Sequence, residues 1–152
     1  MSLEDALQEL RDHCRGMPPV AAMRVDVAGF RDGRLRLAAP LSANVNDKGT
    51  AFGGSLTSLM TVAGWGLVTL QLRLAGVEAE VYVADSQIRY LAPLRADLVA
   101  EAALAEGQDW EGFVDTLRQR GRARIQVEAE VPLPEGGLAT TLAGRFVALA
   151  KR

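Results

Sequence analysis

The segment from Asn46 to Gly54 carries residue types that could bind and polarise a carbonyl group. Gly53 and Gly54 follow a polar loop and open a long apolar run, so they predict the start of a buried helix. Free backbone N–H groups and the positive end of the helix dipole meet at such a start. Donors aimed at developing oxyanion charge are often the largest single catalytic effect. A second interpretation also stands, in which the glycines only permit a tight turn from loop to helix.

Polar side chains on both sides of this helix start could complete a site. Asn46 could hold a water molecule, and Asp47 is the carboxylate nearest to the predicted helix start. The alternative is a turn in which Asn and Asp bond their own backbone. Ser55 and Thr61 could line the same site, or could cap the helix and bond back to its carbonyl groups.

A second carboxylate, Asp85, lies with Ser86 in the middle of a predicted strand. Asp is depleted in strands, so its presence there invites an explanation. One is that Asp85 acts as a general base. The other is that it pairs with Arg89, which falls on the same face of the strand. Farther along, a basic run could bind phosphate groups or an acidic protein, or could be a solvated strand face: Arg118, Arg120, Arg122 and Arg124.

Composition excludes several classes of protein. The chain has 152 residues, of which 49% are hydrophobic and 24% charged, as expected for a single globular domain over residues 1–152. A net charge of -2 gives no signature of nucleic-acid binding. His13 and the single cysteine, Cys14, cannot build the usual metal site or an internal disulfide, so we expect no metal, no cofactor and a cytoplasmic location. We do not expect the first 15 residues to be a signal peptide, because they carry acidic residues and no apolar segment, and we expect the strongly apolar run from Leu59 to Leu70 to be too short to span a membrane.

Hydrophobic periodicity predicts an α+β chain with one long helix. A first helix begins after Ser2 and is ended by Gly16 and Pro18-Pro19, and a hairpin that begins near Met23 turns at Asp32-Gly33. The long helix runs from about Gly54 to Leu74. A short helix capped by Asp109 and four further strands follow, over residues 80–91, 97–105, 122–131 and 138–150.

The long helix is apolar almost all round, so it should be buried on nearly every side. One sheet face cannot cover it alone, and therefore the sheet must wrap it, a second subunit must cover it, or both. Gly64 and Gly66 within it predict the close approach of another backbone. We expect a homo-oligomer, either a dimer or a tetramer, with the site at the subunit interface.

This order of elements resembles the hotdog fold, an antiparallel sheet wrapped around one long helix. Asn46, Gly49 and Phe52-Gly53-Gly54 stand at the spacing of the Asn, Gly and His-Gly-Gly of phenylacetate-type hotdog thioesterases. The runs NVNDKGTAFGGSL, GW, DSQIRYLAP and GRARI resemble more closely a bacterial family of thioesterase-like proteins that occur alone or fused behind a GNAT acetyltransferase.

The resemblance implies hydrolysis of acyl-CoA or acyl-carrier-protein thioesters, or a non-catalytic protein that binds such thioesters. The chain departs from the phenylacetate type at two positions, because Phe52 replaces the His and Thr61 replaces the carboxylate nine residues later. The predicted catalytic residues are Asn46, Asp47, Gly53, Gly54, Thr61 and Asp85. The predicted substrate-binding residues, some of them lining an apolar acyl tunnel, are Phe52, Ser55, Leu56, Leu59, Met60 and Ser86.

Overall fold

A six-stranded antiparallel sheet packs against one long helix in the computed structural model, which describes residues 1–151. The strand order is β1-β2-β4-β5-β6-β3. The helices are α1 (Leu3–Gly16), α2 (Pro18–Met23), α3 (Gly53–Leu74) and α4 (Trp110–Arg120), with a short 3-10 helix at Leu41–Ala43. The strands are β1 (Asp26–Arg31), β2 (Arg34–Ala39), β3 (Ala79–Tyr90), β4 (Leu98–Leu104), β5 (Arg122–Pro132) and β6 (Leu138–Ala150). The predicted α+β hotdog architecture is therefore confirmed.

The central helix α3 forms the core with the inner face of the sheet. By length and composition α3 could cross a membrane, but its apolar side chains are largely buried within the fold, as predicted for a core helix. Leu59, Met60 and Leu67 have no exposed surface. Side chains of β5 alternate between this core and solvent, which matches the alternation in the sequence.

The two glycines inside α3 allow close packing against side chains, not against another backbone as the sequence suggested. A Cβ on Gly64 would lie 2.7 Å from the ring of Phe146 on β6. A Cβ on Gly66 would lie 2.9 Å from Leu35 on β2 and 3.3 Å from Leu10 on α1. The glycines therefore let the sheet and α1 approach the helix from two sides.

The region before β1 differs from the sequence-based expectation. Pro18-Pro19 ends the first helix as predicted, but Pro18 also begins a second helix, α2. Proline fits the first turn of a helix because its missing N–H has no intrahelical partner there. Met23 therefore ends a helix and does not belong to the hairpin, whose first strand begins at Asp26. The Asp32-Gly33 turn is confirmed, with both residues at positive φ.

Strand β3 is long and lies at an edge of the sheet. It has 12 residues and pairs only with β6. The pairing register shifts between Val83 and Asp85, which marks a bulge at Ala84. Tyr82, Val83 and Tyr90 are each about half exposed, so this edge presents apolar side chains to solvent.

Candidate functional site

The start of α3 presents free hydrogen-bond donors. Phe52 is the N-cap residue and its side chain accepts no bond, and the first backbone bond of the helix runs from Leu56 N to Phe52 O at 3.1 Å. Within residues 1–151, the amides of Gly53, Gly54 and Ser55 donate to no acceptor. Three amides at the positive end of a 22-residue helix form a site suited to a polarised carbonyl oxygen or an oxyanion.

An apolar rim near these donors is formed by Phe52 itself, by Val45, which bridges to Ala51, and by Leu91, which follows Tyr90. Phe52 and Leu91 are 55% and 52% exposed, and Val45 is 47% exposed. The Phe52 ring folds back over the first turn, since a Cβ on Gly54 would lie only 2.6 Å from it. The donors therefore lie beside exposed apolar surface, an arrangement suited to a substrate with a polar reacting group and an apolar chain.

The loop before α3 is held in shape by the side chain of Asn46. Its Oδ1 accepts from the amides of Lys48 at 2.8 Å and Thr50 at 3.1 Å, and its Nδ2 donates to Thr50 Oγ1 at 2.7 Å. These bonds match the turn interpretation of Asn46. Asp47, at the tip of the loop, has an 82% exposed side chain and pairs with Lys48 Nζ at 2.7 Å.

Two hydroxyl groups that sequence reasoning missed, those of Tyr90 and Thr57, lie at the helix start. Tyr90 Oη donates to Gly53 O at 3.0 Å and lies 2.5 Å from Thr57 Oγ1. Thr61 Oγ1 donates to Thr57 O at 2.8 Å. This bond matches the interpretation in which Thr61 bonds back to a carbonyl group of its own helix. The four-residue spacing of Gly53, Thr57 and Thr61 was a usable signal for this helix face, but nothing in the sequence pointed to Tyr90 as its partner.

Asp85 lies away from this cluster. It forms an ion pair with Arg145 on β6, not with Arg89 as one interpretation of the sequence held. Cross-strand partners point to the same side of a sheet, and Arg145 alternates with Gly144 and Phe146, which are buried on the inner face. Asp85 is therefore on the outer face of the sheet, whereas the start of α3 faces the inner side.

The remaining predicted residues fall into two groups. Ser86 is on the inner face of β3, paired with Gly144, and Ser55 contributes one of the three free amides. Leu59 and Met60 have no exposed surface and Leu56 is 4% exposed, so in a single chain they form core packing and not an open channel. A concavity of about 480 Å³ lined by Arg89, Glu101 and Glu128 lies on the outer face of the sheet.

Residues 1–151 contain no group of three or more His, Cys, Asp or Glu side chains placed to hold a metal ion. The helix start presents backbone amides and the hydroxyl groups of Tyr90 and Thr57, and the Asp47 carboxylate lies on the preceding loop.

Solved structures from several bacteria share this fold along nearly their whole length. The chain is 30% identical to a putative thioesterase from Shewanella oneidensis, with a TM-score of 0.85 over 96% of this chain and 99% of that one. A protein of unknown function from Chlorobaculum tepidum is 27% identical, with a TM-score of 0.86 and coverage of 98% and 94%. A thioesterase from Haemophilus influenzae is 17% identical and has a TM-score of 0.72 over 95% and 90% of the two chains, which shows the shared fold.

The family comparison covers the same extent of the chain. Residues 7–150, from α1 to the end of β6, match the family model described as "Putative thioesterase (yiiD_Cterm)". This match includes the loop, the start of α3 and the edge strand that together build the site. The chain therefore belongs to the putative thioesterase (yiiD_Cterm) family.

Proposed function

We propose that the protein hydrolyses acyl thioesters of coenzyme A or of an acyl-carrier protein at the start of α3. The observation that carries this proposal is the set of three unpaired amides, Gly53, Gly54 and Ser55, beside an exposed apolar rim. Amides held in a folded backbone need no reorganisation when negative charge develops on the carbonyl oxygen, and such donors lower the barrier to acyl transfer. The family to which the chain belongs supports the same reaction class.

The reaction requires a water molecule, a proton acceptor and a leaving thiol. The water oxygen forms a bond to the carbonyl carbon while its proton passes to a carboxylate, and the oxyanion is held by the amides. The tetrahedral adduct then expels the thiolate, the C–S bond breaks, and the carboxyl group returns its proton to the sulfur. Asp47 is our candidate for the carboxylate because its loop leads directly into α3.

Paired substitutions test the proton acceptor. Asp47→Asn should lower kcat by roughly 10² to 10⁴, the usual effect of a positioned acid–base group. Asp85→Asn is the matched control, since it removes an exposed, ion-paired carboxylate from the outer face of the sheet. If both variants fold and keep wild-type turnover, the assignment of Asp47 is wrong. If Asp85→Asn alone loses turnover, the base is on β3 and the substrate reaches the outer face.

We further propose that the site is completed in a homodimer. Within residues 1–151, strand β3 leaves one edge of its backbone unpaired over 12 residues, and it exposes Val83 and Tyr90 on its inner side. A long exposed edge strand is a template for pairing with another chain. A second copy paired along β3 would cover these side chains and would enclose the rim at the helix start. Sedimentation velocity should show a dimer at micromolar concentration, and a monomer would contradict this proposal.

The acyl chain should lie along the apolar rim and extend toward Leu56. Each buried CH₂ contributes about 0.8 kcal/mol of binding free energy, so affinity should rise by a factor of about four per CH₂ until the groove ends. That Leu59 and Met60 line the acyl site in the proposed homodimer stays a prediction. Equal affinity for acetyl and octanoyl thioesters would contradict an apolar acyl site.

A second candidate function is acyl-thioester binding without hydrolysis. It is favoured by Thr61, which stands where phenylacetate-type enzymes carry a carboxylate and whose hydroxyl is committed to Thr57 O at 2.8 Å. Wild-type protein that binds thioesters and turns none over would support this function. Thr61→Asp should then create turnover, because a carboxylate would be restored on the helix face that adjoins the free amides.

A further inference from the structure

One face of α3 carries a polar ridge that meets the end of β3. Gly53, Thr57 and Thr61 follow one another at four-residue spacing, so they lie one above the other along the helix. Tyr90 meets the first turn of this ridge, with its ring 3.4 Å from the position of a Cβ on Gly53. The ridge begins at the free amides. It includes Thr61, which stands where phenylacetate-type enzymes carry a carboxylate.

The hydrogen bonds on this ridge allow its protons to be assigned. Tyr90 Oη has one proton, and Gly53 O, which only accepts, lies 3.0 Å away. The 2.5 Å contact between Tyr90 Oη and Thr57 Oγ1 could have either hydroxyl as its donor. We assign Thr57 as the donor, because the single Tyr90 proton is then left for Gly53 O. Thr57 Oγ1 is left with lone pairs and no proton to offer, so it acts only as an acceptor toward any further group.

Two other threonines show what Thr57 would do without Tyr90. Thr61 Oγ1 donates to Thr57 O at 2.8 Å, and Thr116 Oγ1 donates to Gly112 O at 2.8 Å, each four residues back. This back-bond is common for threonine in helices. At Thr57 the corresponding carbonyl, Gly53 O, is occupied by Tyr90, so the threonine hydroxyl is directed to the phenol.

We propose that Thr57 Oγ1 accepts a hydrogen bond from the attacking water and that Tyr90 is the positioning residue that sets the direction of its lone pairs, because it occupies Gly53 O and draws the Thr57 proton toward the phenol. A side chain on a helix points back toward the N-terminus, so Thr57 Oγ1 lies over the turn that carries the free amides. A water that donates one proton to Thr57 keeps both of its lone pairs, and one of them is free to attack a carbonyl held by those amides. Asn46, whose Oδ1 is occupied by two backbone amides, is less suited to this role.

This inference rests on the proposed thioesterase function, and binding measurements separate the two. Trifluoroacetonyl-coenzyme A carries a ketone that hydrates to a tetrahedral diol, in which one oxygen corresponds to the oxyanion and the other to the attacking water. Propyl-coenzyme A has the same carbon count beyond sulfur and neither oxygen. The ratio of their Kd values in calorimetric titrations measures recognition of the tetrahedral centre, without any need for turnover.

Wild-type protein should bind the hydrated ketone more tightly than the propyl thioether. Tyr90→Phe and Thr57→Val should each reduce this preference about tenfold, the equivalent of one hydrogen bond of about 1.4 kcal/mol. The double variant should lose little more than either single variant, because both remove the same interaction. Thr57→Ser, which keeps the hydroxyl, should retain the preference.

Matched controls are available on β3 and on a second helix, α4. Tyr82→Phe removes a phenol from β3 whose hydroxyl bonds only Glu80, and Thr116→Val removes a back-bonded threonine from α4. Both should leave the preference at its wild-type value. If wild type shows a preference that Tyr90→Phe and Thr57→Val leave intact, the roles of these two residues are refuted and the thioester site stands. If wild type shows no preference at all, the oxyanion site and this inference both fail.

Discussion

The substitution Gly64→Ala probes the contact that brings α3 onto the sheet. The added methyl would lie 2.7 and 2.9 Å from two atoms of the Phe146 ring, which has no exposed surface and so cannot turn toward solvent. Overpacking of this kind costs about 1–3 kcal/mol. Alanine in place of glycine within a helix returns about 1 kcal/mol. We therefore expect the free energy of unfolding to fall by about 1 kcal/mol, which corresponds to a Tm lower by roughly 2–4 °C.

Gly54→Ala is the matched control in the same helix. Its added methyl would lie even closer, 2.6 Å from the Phe52 ring, but that ring is 55% exposed and can turn toward solvent. The variant should therefore be as stable as wild type or up to about 1 kcal/mol more stable. Urea unfolding at constant m-value gives both differences. A Gly64→Ala protein at least as stable as wild type, or equal losses in the two variants, would refute the reasoning from ring mobility.

Three further predictions concern other parts of the molecule. Burial raises the pKa of the Cys14 thiol, so folding disfavours the thiolate. The stability of wild type relative to Cys14→Ala should fall as pH rises above about 8.5 and be constant below it, as urea titrations between pH 7 and 10 would show. Arg73→Gln breaks a partly exposed bidentate pair with Glu9 at 2.8 and 3.0 Å, and should cost less than about 1 kcal/mol, with a smaller loss at high salt. Val83→Lys places a charge on the exposed inner side of β3 and should shift the proposed dimer toward folded monomer in sedimentation velocity, whereas the exposed hairpin-tip variant Arg31→Gln should not.

Much of the fold was predictable because its signals are local. The apolar run that opens at Gly53 defined α3, and the alternation over residues 122–131 defined β5. Met23 was placed wrongly because its alternation with Val25 and Val27 suggested a strand, whereas Pro18 begins a helix that ends at Met23. The predicted reason for Gly64 and Gly66, the close approach of another backbone, was also wrong. The contact between Phe146 and α3 depends on how the sheet packs against the helix, and no local sequence pattern indicates that packing.

The candidate site was only partly predictable for a related reason. The free amides follow from the loop-to-helix transition, which the sequence displays directly. The partner of Asp85 depends on cross-strand register, and the bulge at Ala84 together with pairing to β6 sets it opposite Arg145. Tyr90 reaches Gly53 from a strand 37 residues farther along the chain, and only the three-dimensional fold brings the two together.

Steady-state hydrolysis by the wild-type protein over a panel of acyl-CoA and acyl-carrier-protein thioesters, from acetyl to long chains, tests the central claim most directly. If the amides of Gly53, Gly54 and Ser55 polarise the thioester carbonyl beside an apolar rim, we expect measurable turnover. The value of kcat/KM should rise with acyl length until the site is filled. Turnover should be slow compared with enzymes that carry a carboxylate at the position of Thr61, by on the order of 10² or more. Tight binding of these thioesters without hydrolysis of any of them would contradict the proposed activity.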